Sequence, residues 1–379
     1  MILEIYDKNT NNRVDIIRTY DFVQYTKKFN DIGTFSVKVP VSERSLQYLI
    51  KDNYILFEKD VMGIIKYIHK EGIEKPYVEI KGYLISHILT YRSSVVTQRY
   101  SGEIFIIERS LIDSNFINPT DVRREVDLIS LEENVLSSDT TKYQNTGEDI
   151  AQQICSLNSS YDYGWDLVPI IGRSENNQNI TSFEFRSYKP VNHTIRNSGG
   201  NLPVEFSLKL NNVSELVYSS DSTEEKTVAI VAGEDKGVDR KIEETGDTSA
   251  TGLNRIELYV DARDIQSTET EEVDGEIIET EIPEQDYRQM LRERGKEKLD
   301  EHLTFIEFYG TIIVRSNNLF QFGVDYKLGD YVTVIDDDLN IAADLQITGY
   351  TKSLTSNGEI IDMEFGKEKM TLYKRIRNK

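Results

Sequence analysis

The sequence predicts a mainly β protein with α/β insertions, and therefore an α+β fold. Short runs of alternating apolar and polar residues recur along the chain, two segments have helical periodicity, and turn-forming residues separate them. A length of 379 residues indicates two or three domains at about 150 residues each. We expect a β-domain at 1–95, a smaller helix-containing domain at 96–178 and a second β-domain at 179–379.

The first domain is predicted from three alternating runs, at residues 14–17, 34–39 and 77–83. Alternation with a period of two is typical of half-buried strands. Several short strands at this spacing favour a sandwich or a barrel over an α/β sheet. We therefore expect a compact β-domain over residues 1–95.

The period of the apolar residues becomes helical in the second domain. Residues 104–112 fit a short buried helix better than an alternating strand. Residues 146–149 resemble a capping box, with Asp149 at the position usually held by Glu or Gln. Cys155 lies beside the apolar stripe that follows, so we interpret it as a small core residue. The stripe itself consists of Ile150, Ala151, Ile154 and Leu157.

The third domain returns to strands and contains an acidic segment at about 267–282. Asp274-Gly275 lies between β-branched residues there, which is a strong hairpin signal. We expect either a protruding two-stranded arm that contributes nothing to the core or a disordered acidic loop. The predicted strands of this domain lie at 183–186, 204–208, 228–231, 310–314, 331–335 and 363–365.

Two further segments complete the third domain. Residues 284–303, after Pro283, are rich in Glu, Arg, Lys, Gln and Leu and predict an amphipathic helix. The chain ends in a basic tail at 374–379. Two interpretations of this tail stand equal: it docks on an acidic surface of a partner or neighbouring subunit, or it frays.

Composition narrows the classes of function. The 44 basic and 65 acidic residues give a net charge of −21, which argues against a protein that reads DNA sequence. No apolar stretch approaches the roughly 20 residues that cross a bilayer, and the N-terminus does not resemble a signal peptide. A single cysteine forbids an intrachain disulfide, so we expect folding in a reducing cytosol.

The motifs of common active sites are missing from the sequence, which lacks Gly-x-Ser-x-Gly, His-Glu-x-x-His, paired Cys-x-x-Cys and Gly-x-Gly-x-x-Gly. Residues 233–237 have the wrong glycine spacing for a phosphate loop and carry two acids. Residues 336–340 resemble the start of a calcium loop, but Ile341 and Ile347 replace its glycine and its bidentate Glu. We interpret them as a hairpin turn, and we predict no catalytic, cofactor-binding or metal-binding residue.

Three classes of function are compatible with this composition and these motifs: a structural hub, a sugar-binding module and a carboxylate-based hydrolase. Trp165 lies among aromatic residues that could stack on sugars, although packing in the core is the favoured interpretation. Carboxylates are abundant, but no two of them lie in an apolar setting that predicts a raised pKa.

Several motifs follow one another along nearly the whole chain. The first, at 25–40, holds an aromatic residue, a glycine, an aromatic strand and Val-Pro in that order. Each motif is weak alone, but their colinear order resembles the phage tail hub family, although Tyr25 stands where that family often has Trp. The others lie at 63–65, 78–92, 199–202, 228–234, 325–334 and 364–366.

This resemblance implies two small β-barrel domains related to tail-tube subunits, separated by α/β insertions. It also implies a homotrimer, whose six barrels would match a hexameric tube. Expected partners are a tail-tube or distal tail protein, a tape-measure protein and a spike or tip protein. We expect no cofactor, no sequence-specific contact with nucleic acid and no stable membrane insertion.

The favoured function is therefore a structural hub in the tail tip or baseplate of a phage or phage-like particle, assembled in the host cytoplasm. Some members of the phage tail hub family are lysins, which carry a peptidase or glycosidase domain after the hub. We expect no room for such a domain in this chain. The chain is accordingly not expected to be an enzyme. The alternative is a cell-wall-directed tail protein that binds a receptor or sugar, or hydrolyses peptidoglycan.

Overall fold

The structure is a computed structural model that describes residues 1–73, 76–95, 97–133, 136–173, 178–234, 237, 240–273, 276–302, 305–312, 319–355 and 358–366. Its strands outnumber its helices. Within these ranges there are four α-helices: α1 (Glu43–Tyr48), α2 (Ile104–Ile112), α3 (Ile150–Ser159) and α4 (Glu284–Asp300). The first seven strands are β1 (Leu3–Tyr6), β2 (Arg13–Ile17), β3 (Phe22–Lys28), β4 (Thr34–Pro40), β5 (Tyr54–Glu58), β6 (Val61–Glu71) and β7 (Tyr77–Leu84).

The remaining strands follow in two groups. The group around α2 and α3 comprises β8 (Gln98–Glu103), β9 (Ile129–Leu131), β10 (Thr140–Asn145), β11 (Gly164–Arg173) and β12 (Gln178–Tyr188). The last group comprises β13 (Glu205–Ser207), β14 (Val213–Asp221), β15 (Val228–Ala232), β16 (Ile242–Gly246), β17 (Glu257–Asp261), β18 (Thr268–Val273), β19 (Glu276–Glu281), β20 (Phe305–Ile312), β21 (Tyr331–Asp336), β22 (Ile341–Thr355) and β23 (Gly358–Phe365).

One large sheet of thirteen strands connects the two ends of the chain. Its main path runs β14-β20-β23-β22-β3-β4-β7-β6-β5-β1-β2, and β21 and β13 extend from β22. Strand β22 is central to this arrangement because it pairs with β21 through one half and with both β23 and β3 through the other. The pairing of β3 with β22 joins the N-terminal strands to the C-terminal ones.

The hydrophobic core under this sheet is shared by both ends of the chain. Fully buried Tyr25 and Val37 from the first strands pack in the same cluster as Phe308, Ile347 and Phe365 from the last ones. The alternation predicted from sequence is visible in β4, whose buried residues are the second, fourth and sixth. Burial on one face only is what fixes the register of such a strand.

Two smaller cores lie beside the large sheet. The second core packs α2 and α3 against β11, β12 and the back of β6, with Phe105, Ile154 and Phe183 at its centre. The third core packs α4 against a three-stranded sheet in which β15 lies between β16 and β17, and it contains Val231 and Leu291. Acidic residues in the first turn of α4 and Lys298 in the last complement the helix dipole.

The mainly β fold with helical insertions is confirmed, as are the helices at 104–112 and after Pro283. The capping prediction was wrong in detail. Asp149 is itself the residue before the first turn of α3, and its Oδ1 accepts a hydrogen bond from the Gln152 amide at 2.9 Å. Thr146 instead donates to the hydroxyl of Thr97. An Asp directly before the helix satisfies a free amide without a capping box.

The acidic segment forms a hairpin in which β18 and β19 pair antiparallel over six residue pairs. The predicted Asp274-Gly275 turn and the basic tail at 374–379 lie outside the described residues. The division at 1–95, 96–178 and 179–379 stays a prediction.

Candidate assembly surfaces

The motif glycines of the first region surround one aromatic side chain, Phe35 on β4. A Cβ atom on Gly63 would lie 2.4 Å from the Phe35 ring, and one on Gly82 would lie 2.8 Å from it and 1.9 Å from the Ile64 carbonyl. The Phe35 ring centroid is 5.2 Å from that of Phe57. Glycine at these two positions is therefore required for β6 and β7 to approach the core this closely.

The opposite face of β3, β4 and β22 carries polar side chains, with uncharged ones at its middle and Lys28 and Lys38 toward its ends. The hydroxyl groups of Thr26 and Thr351 lie 2.8 Å apart, and the Gln24 amide donates to the Ser353 hydroxyl at 3.1 Å. Thr34 is exposed at the start of β4 on the same face. This face crosses the boundary between the N-terminal and C-terminal strands and suits contact with water or with a neighbouring chain.

An ion pair joins the large sheet to the second core. The ammonium group of Lys27 on β3 donates a hydrogen bond to the carboxylate of Asp166 on β11. Burial alone would lower the pKa of Lys27, but the Asp166 carboxylate outweighs it and the pKa is raised. A similar contact crosses the sheet, where Lys352 on β22 donates to Glu58 at 2.6 Å and lies 2.9 Å from Glu359. These charges act as structural pairs.

A buried carboxyl group lies inside the second core. Glu108 on α2 is fully buried and accepts hydrogen bonds from the Asn158 amide and the Ser187 hydroxyl, both at 2.5 Å. Burial raises its pKa to about 8, while the two hydrogen bonds oppose the rise. Sequence reasoning missed this residue. The available signal was its spacing, because position 108 is four residues after Ile104 and three before Leu111 on the apolar stripe.

Two other buried carboxyl groups have raised pKa values, again because of burial. Glu297 on α4 lies against Arg294 and Lys298, whose charges oppose the rise. Asp330 accepts hydrogen bonds from the Val191 and Lys327 amides. Glu108, Glu297 and Asp330 have different partners in different elements. Burial is the largest cause of the raised pKa in all three groups, and the Glu148 and Glu301 carboxylates add to the rise at Glu297.

The sequence segments that superficially resembled binding motifs have local structural roles. The Glu234 amide donates to the Tyr287 hydroxyl at 3.1 Å, so the start of the 233–237 segment packs on α4. Asp336 accepts from the Leu339 amide at 2.9 Å, and Asn340 has a φ of 53°. Residues 336–340 thus form the turn between β21 and β22, as predicted.

Trp165 is 4% exposed and packs on Phe185 with ring centroids 6.2 Å apart, so the prediction of core packing is confirmed.

The cysteine and the histidines lie in separate parts of the fold. Cys155 is half-buried and packs against the second core. His87 stacks on Tyr83 at 4.2 Å, while the other histidines lie elsewhere: His69 on β6, His193 near Asp330 and His302 after α4.

The described residues also bear on metal sites and on membrane-spanning helices. Within those ranges, no group of three or more His, Cys, Asp or Glu side chains is arranged to hold a metal ion. Over the same part of the chain, no helix combines the length and the apolar character needed to cross a bilayer.

Comparison with known proteins decides the family. Residues 2–367 match the family described as Siphovirus ReqiPepy6 Gp37-like protein. The chain belongs to this family. No curated protein matches this chain. The resemblance to phage tail hubs, stated above from colinear motifs, is thereby supported by a match over nearly the whole sequence.

Solved structures with the same fold are tail proteins of prophages and bacteria. A prophage tail protein gp18 from Listeria monocytogenes aligns over 100% of this chain and 98% of its own, with a TM-score of 0.55 and 14% identity. A 43 kDa tail protein of prophage MuSo2 from Shewanella oneidensis covers 96% and 98%, at a TM-score of 0.56 and 9% identity. A tail protein from Neisseria meningitidis covers 97% and 96%, at 0.52 and 11%. At these identities the likeness shows the fold.

Proposed function

We propose that this chain is a structural hub of a phage or phage-like tail. It would form a homotrimeric ring that joins the tail tube to the tip or baseplate. The observation that carries the proposal is the likeness in fold to the Listeria prophage tail protein, which extends over essentially the full length of both chains. Membership of the Gp37-like family over residues 2–367 supports the same conclusion.

The architecture suits a ring subunit. A single sheet and a shared core connect the N-terminal and C-terminal strands, so the two parts that would flank the lumen are held rigidly. Buried carboxyl groups with separate structural partners agree with a role without catalysis. The net charge of −21 suits the wall of a conduit that DNA crosses without adhering.

The proposed partners are a second and a third copy of the chain, a tail-tube or distal tail protein, a tape-measure protein and a spike or tip protein. Assembly would take place in the host cytoplasm, and the final location would be the tail tip of the virion. The half-buried Cys155, which forms no disulfide, is compatible with a reducing compartment.

Particle imaging tests the proposal directly. The chain is tagged in the producing phage or prophage, and tagged particles are imaged by electron microscopy with a gold-labelled antibody. We expect label on the tail axis at the tip. Label on peripheral fibres, or on no particle at all, would contradict the hub.

A binding assay addresses the alternative of a cell-wall-directed protein. The purified chain is incubated with peptidoglycan and with intact host cell walls, and both soluble fragments and bound protein are measured. The hub proposal expects neither fragment release nor saturable binding. Either result would favour the alternative.

A further inference from the structure

The second half of β6 is an open edge of the large sheet. Strand β5 pairs with β6 over Val61–Ile64, whereas residues 67–71 pair with β7 alone among the described strands. Every residue from 67 to 73 is exposed, and this segment is called the β6 edge below. Its large apolar side chains, Tyr67, Ile68 and Ile73, are 49%, 41% and 100% exposed. An open edge that carries apolar side chains is typical of a surface that binds another chain.

The unpaired charges of the β6 edge are positive. Within the described residues, no carboxylate lies at ion-pair distance from Lys70 in the edge or from Lys38 on the neighbouring strand β4. The two local acids already have partners, since Glu71 accepts a tyrosine hydroxyl at 2.6 Å and Glu79 lies 2.9 Å from Lys81. Three lysines against two glutamates give the edge a net charge of +1, in a chain of net charge −21.

The other end of the large sheet carries an acidic and apolar patch. It continues the polar face of β3, β4 and β22, because Ile360 pairs with Ser353, which pairs with Gln24. Its apolar members are 42–47% exposed, and over the described ranges none of its three carboxylates forms an ion pair. The patch, called the β14–β23 patch below, consists of Glu215, Val217, Tyr309, Ile360, Asp362 and Glu364.

The β6 edge and the β14–β23 patch lie apart in one chain. Seven strand-to-strand steps separate β6 from β14 in the sheet, which is roughly 34 Å along the sheet at about 4.8 Å per step. No strand pairing or ion pair joins the two surfaces within the described residues. They are complementary, because each offers apolar side chains and their unpaired charges have opposite signs. Neither surface suits a second copy of itself, since like charges would meet.

We propose that the β6 edge of one copy docks on the β14–β23 patch of the next copy. The apolar side chains of the edge would cover those of the patch, and Lys38 and Lys70 would lie beside its three carboxylates. The inference rests on the proposed ring of identical subunits and names the contact that closes it. Two different surfaces make a head-to-tail contact, which is the kind that generates a ring. Their attraction offsets part of the repulsion between two acidic chains.

Cysteine cross-linking tests this contact. Two forms of the chain are made with Cys155→Ser as the background, one with Ile73→Cys in the edge and one with Ile360→Cys in the patch. The forms carry tags of different mass and are mixed with a short bismaleimide. We expect covalent dimers that contain one chain of each form. Leu253→Cys, at a site 98% exposed in the third core's unit, replaces Ile360→Cys in the control and should give at least tenfold fewer dimers.

Reversing the lysines locates the contact. Lys38→Glu with Lys70→Glu in the Ile73→Cys chain should lower the yield of mixed dimers at least tenfold. Lys59→Glu with Lys189→Glu is the matched control, because it changes the net charge equally at two exposed lysines elsewhere, and should change the yield less than twofold. Melting curves confirm that each variant is folded.

Reversing both sides should rescue the contact. Glu215→Lys with Asp362→Lys in the Ile360→Cys chain should restore dimers with the lysine-reversed chain, because opposite charges then meet again. A closed ring of three adds a second test by light scattering with the tail-tube partner. One chain that carries all four reversals should form rings. A mixture of edge-reversed and patch-reversed chains should stop at open pairs, since three subunits cannot alternate two kinds around a ring.

The outcomes separate this inference from the hub itself. Dimers no more frequent than with Leu253→Cys, equal yields from every lysine variant, or dimers of two identical forms would overturn the contact. The chain with both Ile73→Cys and Ile360→Cys is also made in the producing phage or prophage, where the particles should contain covalently linked copies. If the chain lies at the tail tip without such links, the hub stands and the contact fails. If the chain is missing from the tail tip, the hub fails.

Discussion

Lys27 on β3 and Asp166 on β11 form an ion pair that joins the large sheet to the second core. The two residues are 139 positions apart in the sequence, and their side chains are 19% and 21% exposed. Because each charge is largely removed from water, either one left alone would be destabilising. The pair therefore couples the packing of two parts of the molecule.

Replacing only Lys27 should be more damaging than replacing the pair. We expect Lys27→Met to lower the free energy of unfolding by about 2–4 kcal/mol, since Asp166 would stay largely buried without its partner. Lys27→Met with Asp166→Leu should recover at least half of that loss. Urea denaturation of the single and double variants measures both values. A double variant less stable than the single one would contradict the interpretation.

Glu108 should make stability depend on pH. Its pKa in the folded chain is about 8, above the ordinary value of 4.5, so the folded state holds a proton that the unfolded state has lost between these values. Stability is therefore greatest below about pH 4.5 for this group and falls as pH rises to about 8, by up to about 1.4 kcal/mol per pH unit.

The substitution Glu108→Gln tests this dependence. An amide can keep the contacts with Asn158 and Ser187 but cannot ionise, so the variant should be more stable than wild type at pH 8 and should lose most of the slope. Urea denaturation at pH 5.5, 6.5, 7.5 and 8.0 measures both the slope and the difference at pH 8. Glu125→Gln, at an exposed position, is the control and should leave the slope unchanged.

The β18–β19 hairpin should be dispensable for folding of the isolated chain. Replacing residues 268–281 with a Gly-Ser link should change the melting temperature by less than about 2 °C, because the third core is built from residues that flank the hairpin, such as Ile265 and Ile282. Leu291→Ala in the same core is the contrasting variant, with an expected cost of about 2–5 kcal/mol. A large drop on deletion would show that the hairpin is a core element.

Association of copies should strengthen as salt rises. Each chain carries −21, so copies repel one another at low ionic strength, and screening reduces that repulsion while apolar contacts persist. Light scattering from 20 mM to 500 mM salt, with and without a tail-tube partner, measures the mass. A chain that stays monomeric in all conditions, partner included, would contradict the ring.

The basic tail at 374–379 has two interpretations: it docks on an acidic partner, or it is a frayed terminus. Lys374, Arg375, Arg377 and Lys379 lie after Tyr373 and outside the described residues. Truncation after Tyr373 should reduce the yield of complete particles if the tail docks on an acidic partner. Particle counts equal to those of the full chain would favour a frayed terminus.

Local features of the fold were predictable from the sequence and non-local ones were not. Alternation located β4, helical spacing located α2, and the Asp-Gly signal located the hairpin, because each depends on neighbours within a few residues. The burial of Trp165 followed from its position after a helix. The Lys27–Asp166 pair and the pairing of β3 with β22 depend on the tertiary fold, which periodicity does not encode.

The candidate assembly surfaces show the same difference between local features, which were predictable, and non-local features, which were not. The absence of an active-site motif and the family resemblance were available from the sequence, whereas the close approach of Gly63 and Gly82 to Phe35 was not. These residues lie on three different strands, and only folding brings them together. Glu108 was accessible in principle, since one acid on an apolar helical stripe is itself a signal.

The pairing of β3 with β22 also orders events during synthesis. Thr26 and Thr351 face each other across this pairing although 325 positions separate them, so β3 must wait for most of the chain to leave the ribosome. At about 5–20 residues per second, that interval is on the order of 15–60 s. Throughout it, one edge of the N-terminal sheet stays open to other chains. Nascent copies crowded on one messenger RNA are therefore most exposed to mispairing before this strand closes, and a chaperone that shields β3 would act in that interval.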